Sequence, residues 1–334
     1  MALQGWVVNI HRKEKVMNIH WSWSTALRLA VATLLPVCLM LAGEVQLGLV
    51  MSIGLLPTAL IPLAEKRKER VRLLVIGTVF GLAVVLGSLL SQNAFLAVGG
   101  IALFAFAASY LTSTSRRMLG ELAIALIVPV IAIGFSYPDF QQALFIGGVM
   151  VVGSLWGLLV SLLPWRIKQV ASVASKPLPI PRQTSIRYGI VYGIAAAVAA
   201  AVPLLLGWEH VGWVAGATLF VMRPSWKTQE LRMWGRLVSV AVGALAASVI
   251  LAVSPPVWLA ALLVASALIS AGATQGSRWY ITPAFTTFIV FFVLLFVEHN
   301  QGDIQFRFNE RILETLIGVG IAALFGLIAR RIVR

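Results

Sequence analysis

The chain has 334 residues, of which 60% are hydrophobic and only 11% are charged, and its mean hydropathy is +0.93. A soluble globular domain is about 45–50% apolar and about 25% charged, so this composition excludes a soluble fold and favours one embedded in lipid. The net charge of +14 would suggest nucleic-acid binding in a soluble protein. Cytosolic loops of membrane proteins are rich in Lys and Arg, however, and we expect no nucleic-acid partner.

Residues 1–23 are predicted to form a short cytosolic tail. They carry Arg12, Lys13 and Lys15, and they lack the apolar stretch of a secretory signal.

Apolar segments long enough to cross a bilayer then follow in two sets. About 20 apolar residues are needed for one crossing. Residues 24–163 hold six predicted spans, at 24–42, 46–63, 72–90, 94–112, 119–136 and 142–163. Residues 164–185 hold four prolines and four basic residues, which indicates a cytosolic linker. Residues 186–334 hold six more spans, at 186–206, 211–224, 235–253, 257–274, 280–298 and 311–330.

The distribution of charge predicts the orientation of these spans. With twelve crossings and both termini in the cytosol, all but two of the 26 basic residues lie on the cytosolic side; the exceptions are Arg307 and Arg311. Six of the 12 acidic residues are instead expected in loops on the opposite side, namely Glu44, Asp139, Glu209, Glu298, Asp303 and Glu310. Loops rich in Lys and Arg stay inside, so the sequence predicts a multi-pass membrane protein with both termini in the cytosol.

The two sets of spans resemble each other at one constant offset. This offset pairs Pro62 with Pro224, Arg70 with Arg232, Gly81 with Gly243, Thr112 with Thr274 and Arg116 with Arg278. Because each set has six spans, both enter the membrane from the same side, and we predict two parallel six-helix repeats.

Two corresponding spans are interrupted or short. Segment 46–63 contains Pro57 and Pro62, and segment 211–224 is too short to cross the bilayer unless it extends through Trp226. Broken spans at matching places in two repeats are typical of the central site of a transporter. Polar or aromatic side chains expected to face such a cavity are Ser52, Thr58, His210, Trp213 and Thr218.

Ionisable residues inside predicted spans are the next candidates, since each costs about 2.5–3.5 kcal/mol to insert. Glu121 follows Arg117 by four residues, and Glu314 follows Arg311 by three. Each glutamate is either a helix-end ion pair or a carboxylate that carries protons or lines a substrate path.

Arg278 and Tyr280 open a polar stretch at a cytosolic helix mouth. Arg278 is suited either to anchoring a lipid headgroup or to attracting an anionic substrate. The sequence contains no hydrolase or nucleotide-binding motif, and its single cysteine and four scattered histidines lack metal-ligand spacing. We therefore predict no enzyme, no cofactor and no metal.

The run WVAGATLFVMRPSWKTQELRMWGRLVSVAVGALAA, residues 213–247, resembles the fusaric acid resistance / aromatic acid exporter family. Arg223-Pro224 and Arg236 with Gly243 match that family, whereas Ser239-Val240 replace its usual Gly-Thr. Gly77-Thr78 with Gly81 keep the pattern in the first half. Two further family motifs look like Arg278/Tyr280 and Arg311/Glu314/Thr315/Gly318.

The resemblance implies a bacterial inner-membrane exporter of aromatic carboxylates or related toxic compounds, driven by the proton gradient. Members often work with a periplasmic membrane-fusion adaptor. Larger members carry soluble cytosolic domains, for which 334 residues leave no room here, so an adaptor is less firmly implied.

We therefore predict a secondary exporter of small anionic or aromatic compounds, driven by proton entry. Glu314 paired with Arg311 would respond to protons, and Arg278 would draw the anion in. The alternatives are a passive anion channel and a non-transporting subunit that anchors a partner. Whether the chain forms a homo-oligomer is left open.

Overall fold

The fold is all-helical throughout the described part of the chain. The computed structural model describes residues 20–113, 131, 134–165, 182–208, 211–223, 225–275, 277, 281–298 and 301–332, and within these ranges there is no strand. The helices are α1 Trp23–Leu41, α2 Val45–Gly54, α3 Leu56–Leu60, α4 Arg72–Ser91, α5 Ala94–Ser113, α6 Phe140–Ser161, α7 Arg182–Leu205, α8 Val211–Val221, α9 Trp226–Ala252, α10 Val257–Ala273, α11 Ile281–Glu298 and α12 Gln301–Ile332. Short 3-10 turns lie at Arg67–Val71 and Gly134–Ser136.

Within the described ranges, seven helices are long and apolar enough to cross a membrane, namely α1, α4, α5, α6, α7, α9 and α12. The other described helices are shorter apolar segments. A multi-pass all-α membrane protein is thus confirmed. Most of the predicted span 119–136, of the tail 1–23 and of the linker 164–185 lies outside the described residues, so the count of twelve spans stays a prediction.

Both interruptions predicted from the sequence are present. The second span is divided at Leu55 into α2 and α3, and Pro57 lies in the first turn of α3, where its missing N–H costs nothing. Helix α8 has only 11 residues and ends at Val221. Extension through Trp226 is excluded, because Trp226 instead begins α9.

Helix α12 is longer than predicted. The sequence placed its start at residue 311, but the helix begins at Gln301 and has 32 residues. Glu310, expected in a loop, lies within it and is buried. The start of this helix was predicted wrongly because charged residues interrupt the apolar run. A hydropathy profile does not take into account that these charges pair with each other.

Helix packing follows a paired scheme. Helix α1 packs against α10, and α7 packs against α5. Likewise α2 and α4 both contact α6, whereas α8 and α9 both contact α12. Contacts between α1 and α2 correspond to those between α7 and α8. Each of these contacts made by a helix in residues 24–163 therefore corresponds to one made by a helix in residues 186–334.

Small residues bring these helices together. A Cβ atom on Gly153 of α6 would lie 2.6 Å from the Met51 carbonyl oxygen of α2. On Gly318 of α12 it would lie 2.6 Å from the Val214 carbonyl oxygen of α8. Such close approach of backbones is how helices associate where lipid removes the hydrophobic drive. The two broken spans are therefore held against α6 and α12 in the same way.

Candidate functional site

Four charged residues line one face of α12. Arg307, Glu310, Arg311 and Glu314 recur at the helical spacing of three and four residues, so their side chains share a face. Arg307 Nη1 donates to Glu310 Oε2 at 3.0 Å, whereas Arg311 Nη1 lies 3.9 Å from Glu314 Oε2. We call these four residues the charged face.

Glu314 is the most deeply placed of the four. Its exposed fraction is 0%, and neither carboxylate oxygen has a hydrogen-bond partner among the residues that the structure describes. The 3.9 Å separation from Arg311 is too long for a hydrogen bond. At about 1.5 Å of rise per residue, Glu314 lies about 6 Å from the middle of the apolar stretch 305–331. A carboxylate at this depth is a functional-site candidate by default.

Arg311 joins α12 to the short helix α8. Its Cζ atom lies 4.1 Å from the centroid of the Trp213 ring, which is a cation–π contact. Trp213 in turn packs against Phe291 of α11, with ring centroids 6.4 Å apart. Both Arg311 and Trp213 are buried, with 8% and 4% of their surface exposed. The charged face therefore meets the broken span at an aromatic ring.

A second buried arginine approaches from α9. Arg236 is 7% exposed, and its Cζ atom lies 5.2 Å from the centroid of the Phe220 ring of α8. Its Nε atom is buried without a hydrogen-bond partner among the described residues. It also interacts electrostatically with Arg311. Sequence reasoning missed Arg236 as a site residue, although its position inside an apolar run was an available signal.

Three predicted site residues come together here, namely Glu314, Arg311 and Trp213. Thr58 does not join them: its hydroxyl faces Gly157 of α6, and its carbonyl oxygen accepts a 3.0 Å hydrogen bond from Arg28. Arg278, Tyr280, Glu121 and His210 lie outside the described residues, so their predicted roles stay predictions. Among the described residues, no group of three side chains could hold a metal ion.

The hydroxyls of Ser52 and Thr218, both predicted to face a cavity, donate to backbone carbonyl oxygens. The Ser52 hydroxyl donates to Gly48, and that of Thr218 donates to Val214 and, at 2.9 Å, to Gly318. The Thr218 hydroxyl therefore joins α8 to α12, whereas the Ser52 hydroxyl bonds within α2.

Other arginines, buried or half-buried, cap helix ends. Arg28 and Arg70 converge on the end of α6: Arg28 Nη1 donates to the Ser161 hydroxyl at 3.0 Å, and Arg70 Nη1 donates to the Ser161 carbonyl oxygen at 2.5 Å. In the second half, Arg223 donates to Leu219 and Met222, and Arg232 donates to Phe220. Cations favour helix C-termini, where carbonyl groups lack intrahelical partners.

The capped end of the bundle also links the two halves. Ser22 N donates to the Ala273 carbonyl oxygen at 2.9 Å, and Gln275 Nε2 donates to the Ala59 carbonyl oxygen. Helix direction alternates along the described helices, so residues 59–72, 161–165, 222–223, 225–227 and 273–275 share this end. We call it the basic end.

Multiple apolar helices, two broken spans and an ion pair buried between helices define a polytopic α-helical membrane protein. Residues 195–325 match the family described as fusaric acid resistance protein-like, which confirms the resemblance inferred from residues 213–247. This match covers about two fifths of the chain and includes Arg236, Arg311 and Glu314. Neither the curated proteins nor the solved structures include a significant match. The match and the fold together indicate a membrane transport protein.

Proposed function

We propose that this chain exports small organic compounds, anionic or aromatic, across the inner membrane, with the process coupled to protons. The observation that carries the proposal is Glu314, a fully buried carboxylate 3.9 Å from Arg311 on a membrane-spanning helix. A charged pair without a hydrogen bond gives weak compensation for the loss of hydration. Its carboxylate is therefore suited to taking up a proton as the surroundings of α12 change.

The orientation belongs to the same proposal. The basic end faces the cytosol, because Lys and Arg are retained on that side. Residues 24–163 and 186–334 form two parallel six-helix repeats with twelve spans, residues 1–23 form a cytosolic tail, and residues 164–185 form the linker. The paired packing of α1 with α10 and of α7 with α5 supports this arrangement.

The site is asymmetric within that arrangement, which bears on where transport takes place. Helices α6 and α12 occupy equivalent places, but the described ion pairs of α12 have no counterpart on α6, whose Phe140–Ser161 sequence contains no charged residue. We therefore place the proton-responsive step in the second repeat, between α8 and α12. Arg278 and Tyr280 would lie at the cytosolic mouth of the path.

Replacing Glu314 with Gln tests this function directly. In proteoliposomes that hold the purified full-length chain, the wild type should move a labelled aromatic carboxylate in response to a pH gradient, and E314Q should not. Glu230, exposed on α9, supplies the matched control: E230Q should transport like the wild type. Undiminished pH-driven transport by folded E314Q would remove Glu314 from the mechanism.

A passive anion channel is the second candidate, and the two buried arginines at the site favour it. A channel needs no coupling carboxylate, and an inside-negative potential drives anions outward by about 2.3 kcal/mol per 100 mV. Flux that follows voltage regardless of the pH gradient would identify a channel.

A non-transporting subunit is the remaining alternative, with the basic loop at 65–72 as a docking or lipid-binding surface. Transport by the chain alone in liposomes excludes it. The same preparation tests for partners, because a chain that needs a periplasmic adaptor would be inactive in isolation. The mass of the purified chain in detergent shows whether it forms a homo-oligomer.

A further inference from the structure

Two arginine side chains meet at the C-terminal end of α8, where they donate to neighbouring carbonyl oxygens. Arg223 Nη1 donates to the Leu219 carbonyl oxygen at 3.4 Å, and Arg232 Nη1 of α9 donates to the Phe220 carbonyl oxygen at 3.4 Å. The Tyr192 hydroxyl of α7 donates to the same Leu219 oxygen at 2.7 Å. These acceptors place two guanidinium groups and one phenol hydroxyl together at the basic end.

The positive charge of these two arginines exceeds what the helix end compensates. The free carbonyl groups at a helix C-terminus amount to about −0.5 elementary charge, whereas each guanidinium group carries one full positive charge. No described carboxylate lies within ion-pair distance of Arg223. Glu230, the acid nearest in sequence, is exposed, and side chains two residues apart on a helix do not face each other. An added anion would therefore be stabilised here.

The corresponding arginine in the first half has no such spare capacity. Arg70, which the constant offset pairs with Arg232, donates through Nε and both terminal nitrogens to carbonyl oxygens, and it is only 4% exposed. Arg223 donates to carbonyl oxygens through Nη1 alone, and both Arg223 and Arg232 are half-buried. A guanidinium group has five N–H donors, so donors remain at this end of α8 that solvent can reach.

Two buried hydroxyls on the same face of α7 lack partners. Tyr188 lies one turn before Tyr192, with ring centroids 5.9 Å apart, and it belongs to the same apolar cluster as Met222. Tyr188 is 8% exposed, and its hydroxyl has no hydrogen-bond partner among the described residues. The buried Ser185 hydroxyl, one turn earlier, is likewise unpartnered within the described chain. A buried hydroxyl without a partner is costly, and an oxyanion would supply the missing acceptor.

The residues with these donors are called the arginine–tyrosine cluster, namely Arg223, Arg232, Tyr188 and Tyr192. We propose that this cluster is an oxyanion-binding site at the basic end, separate from the charged face of α12. Guanidinium groups bind carboxylate and phosphate oxygens through paired N–H donors, and phenol hydroxyls add single donors. The ligand is therefore a carboxylate or phosphate group, carried by a free organic anion or by a lipid headgroup. Leu219 lies six residues beyond Trp213, so the two sites are about 9 Å apart along α8.

This inference rests on the proposed function, because it supplies the first binding step of an anion that leaves the cytosol. The basic end faces the cytosol in that proposal, and exposed cationic groups raise the local concentration of anions. Proton coupling stays with Glu314. Binding of an anion to the arginine–tyrosine cluster is accordingly expected to be independent of Glu314.

Calorimetric titration of the purified full-length chain in detergent tests the site, with benzoate and, separately, inorganic phosphate as probes. The wild type should bind at least one of them. Arg223→Gln should weaken that binding at least about tenfold, since paired donors are lost. Lys68→Gln, which removes one charge at an exposed position of the basic end, is the matched control and should bind like the wild type.

Tyr188→Phe separates a role in binding from a role in folding. Y188F removes a buried hydroxyl that has no described partner, so it should melt no lower than the wild type. It should nevertheless bind the anion about fivefold more weakly, because one donor to the ligand is lost. This variant keeps the test decisive if R223Q does not fold, and unchanged affinity in folded Y188F counts against the site.

A second measurement identifies the source of the ligand. Native mass spectrometry after addition of phosphatidylglycerol shows whether the wild type and K68Q retain a phospholipid that R223Q loses, which would identify a lipid headgroup. Benzoate binding that phosphatidylglycerol does not reduce would identify a free anion. If the wild type binds none of the three probes, or if R223Q and K68Q bind equally, the proposal is overturned.

Failure of this inference and failure of the proposed function are distinguishable. E314Q should bind benzoate like the wild type although it moves none in vesicles. Anion binding by a chain that transports nothing contradicts the proposed function and leaves the site. Proton-driven transport with the same KM in R223Q and in the wild type contradicts the site and leaves the function.

Discussion

Arg28 of α1 donates a 3.0 Å hydrogen bond from Nη1 to the hydroxyl of Ser161, at the last residue of α6. Its second terminal nitrogen donates to the Thr58 carbonyl oxygen at 3.0 Å, so one side chain joins α1, α3 and α6. No described carboxylate lies within ion-pair distance of Arg28. The guanidinium therefore acts as a cap for helix ends inside the bundle.

We expect Arg28→Met to destabilise the protein, because it leaves two buried acceptors without donors. Hydrogen bonds from charged groups contribute about 1.5–3 kcal/mol each, so a loss of about 2 kcal/mol or more is predicted in reversible unfolding in detergent. Lys68→Met, at an exposed position of the basic end, is the control and should change stability little. Equal stability of the two variants would show that Arg28 is not a cap.

Close helix contacts in the two halves predict matched effects of alanine substitution. Gly153→Ala places Cβ 2.6 Å from a carbonyl oxygen of α2, and Gly318→Ala places it 2.6 Å from one of α8. Overpacking of this kind costs about 1–3 kcal/mol, and we expect both variants to melt at lower temperature.

The chain supplies a control for each glycine. A Cβ atom on Gly148 or Gly320 would meet nothing within 4 Å, so G148A and G320A should be as stable as the wild type or slightly more so. If G153A destabilises and G318A does not, the equivalence of α6 and α12 in two repeats is contradicted.

Orientation is testable by cysteine labelling after Cys38 is replaced. Lys66 lies at the basic end with 81% of its side chain exposed, and Phe95 lies in the first turn of α5 at the opposite end with 90% of the residue exposed. In intact cells a membrane-impermeant reagent should label F95C and spare K66C until the membrane is opened. Labelling of both from outside would contradict the predicted topology.

The contact between Trp213 and Arg311 predicts a specific loss in Trp213→Leu. Leucine keeps the site apolar but removes the ring face, and a desolvated cation–π contact contributes about 2 kcal/mol. We expect W213L to unfold more readily in detergent, whereas Trp258→Leu, at a largely exposed position, should have little effect. Equal stability of W213L and the wild type would indicate that Arg311 is held by its carboxylate alone.

Much of the architecture was predictable because hydropathy and helix breaking are local properties. A long run of apolar residues by itself indicates a membrane span. Pro57 and the short length of segment 211–224 likewise indicated the two interrupted spans. The spacing of Arg311 and Glu314 also placed their side chains on one face of a helix. Each of these features can be predicted from residues that are close together in the sequence.

What only the tertiary structure decided is which distant residues meet. Helix α12 begins at Gln301 because the charges that interrupt its apolar run are buried in pairs, and Arg236 enters the site because α9 packs beside α8. Nothing in the sequence distinguishes Arg28 from other basic residues, and it caps helix ends only because folding brings Ser161 and Thr58 next to it. The free energy of a buried charge depends on partners brought by folding, so sequence determines where charges lie in each helix and packing determines which of them are compensated.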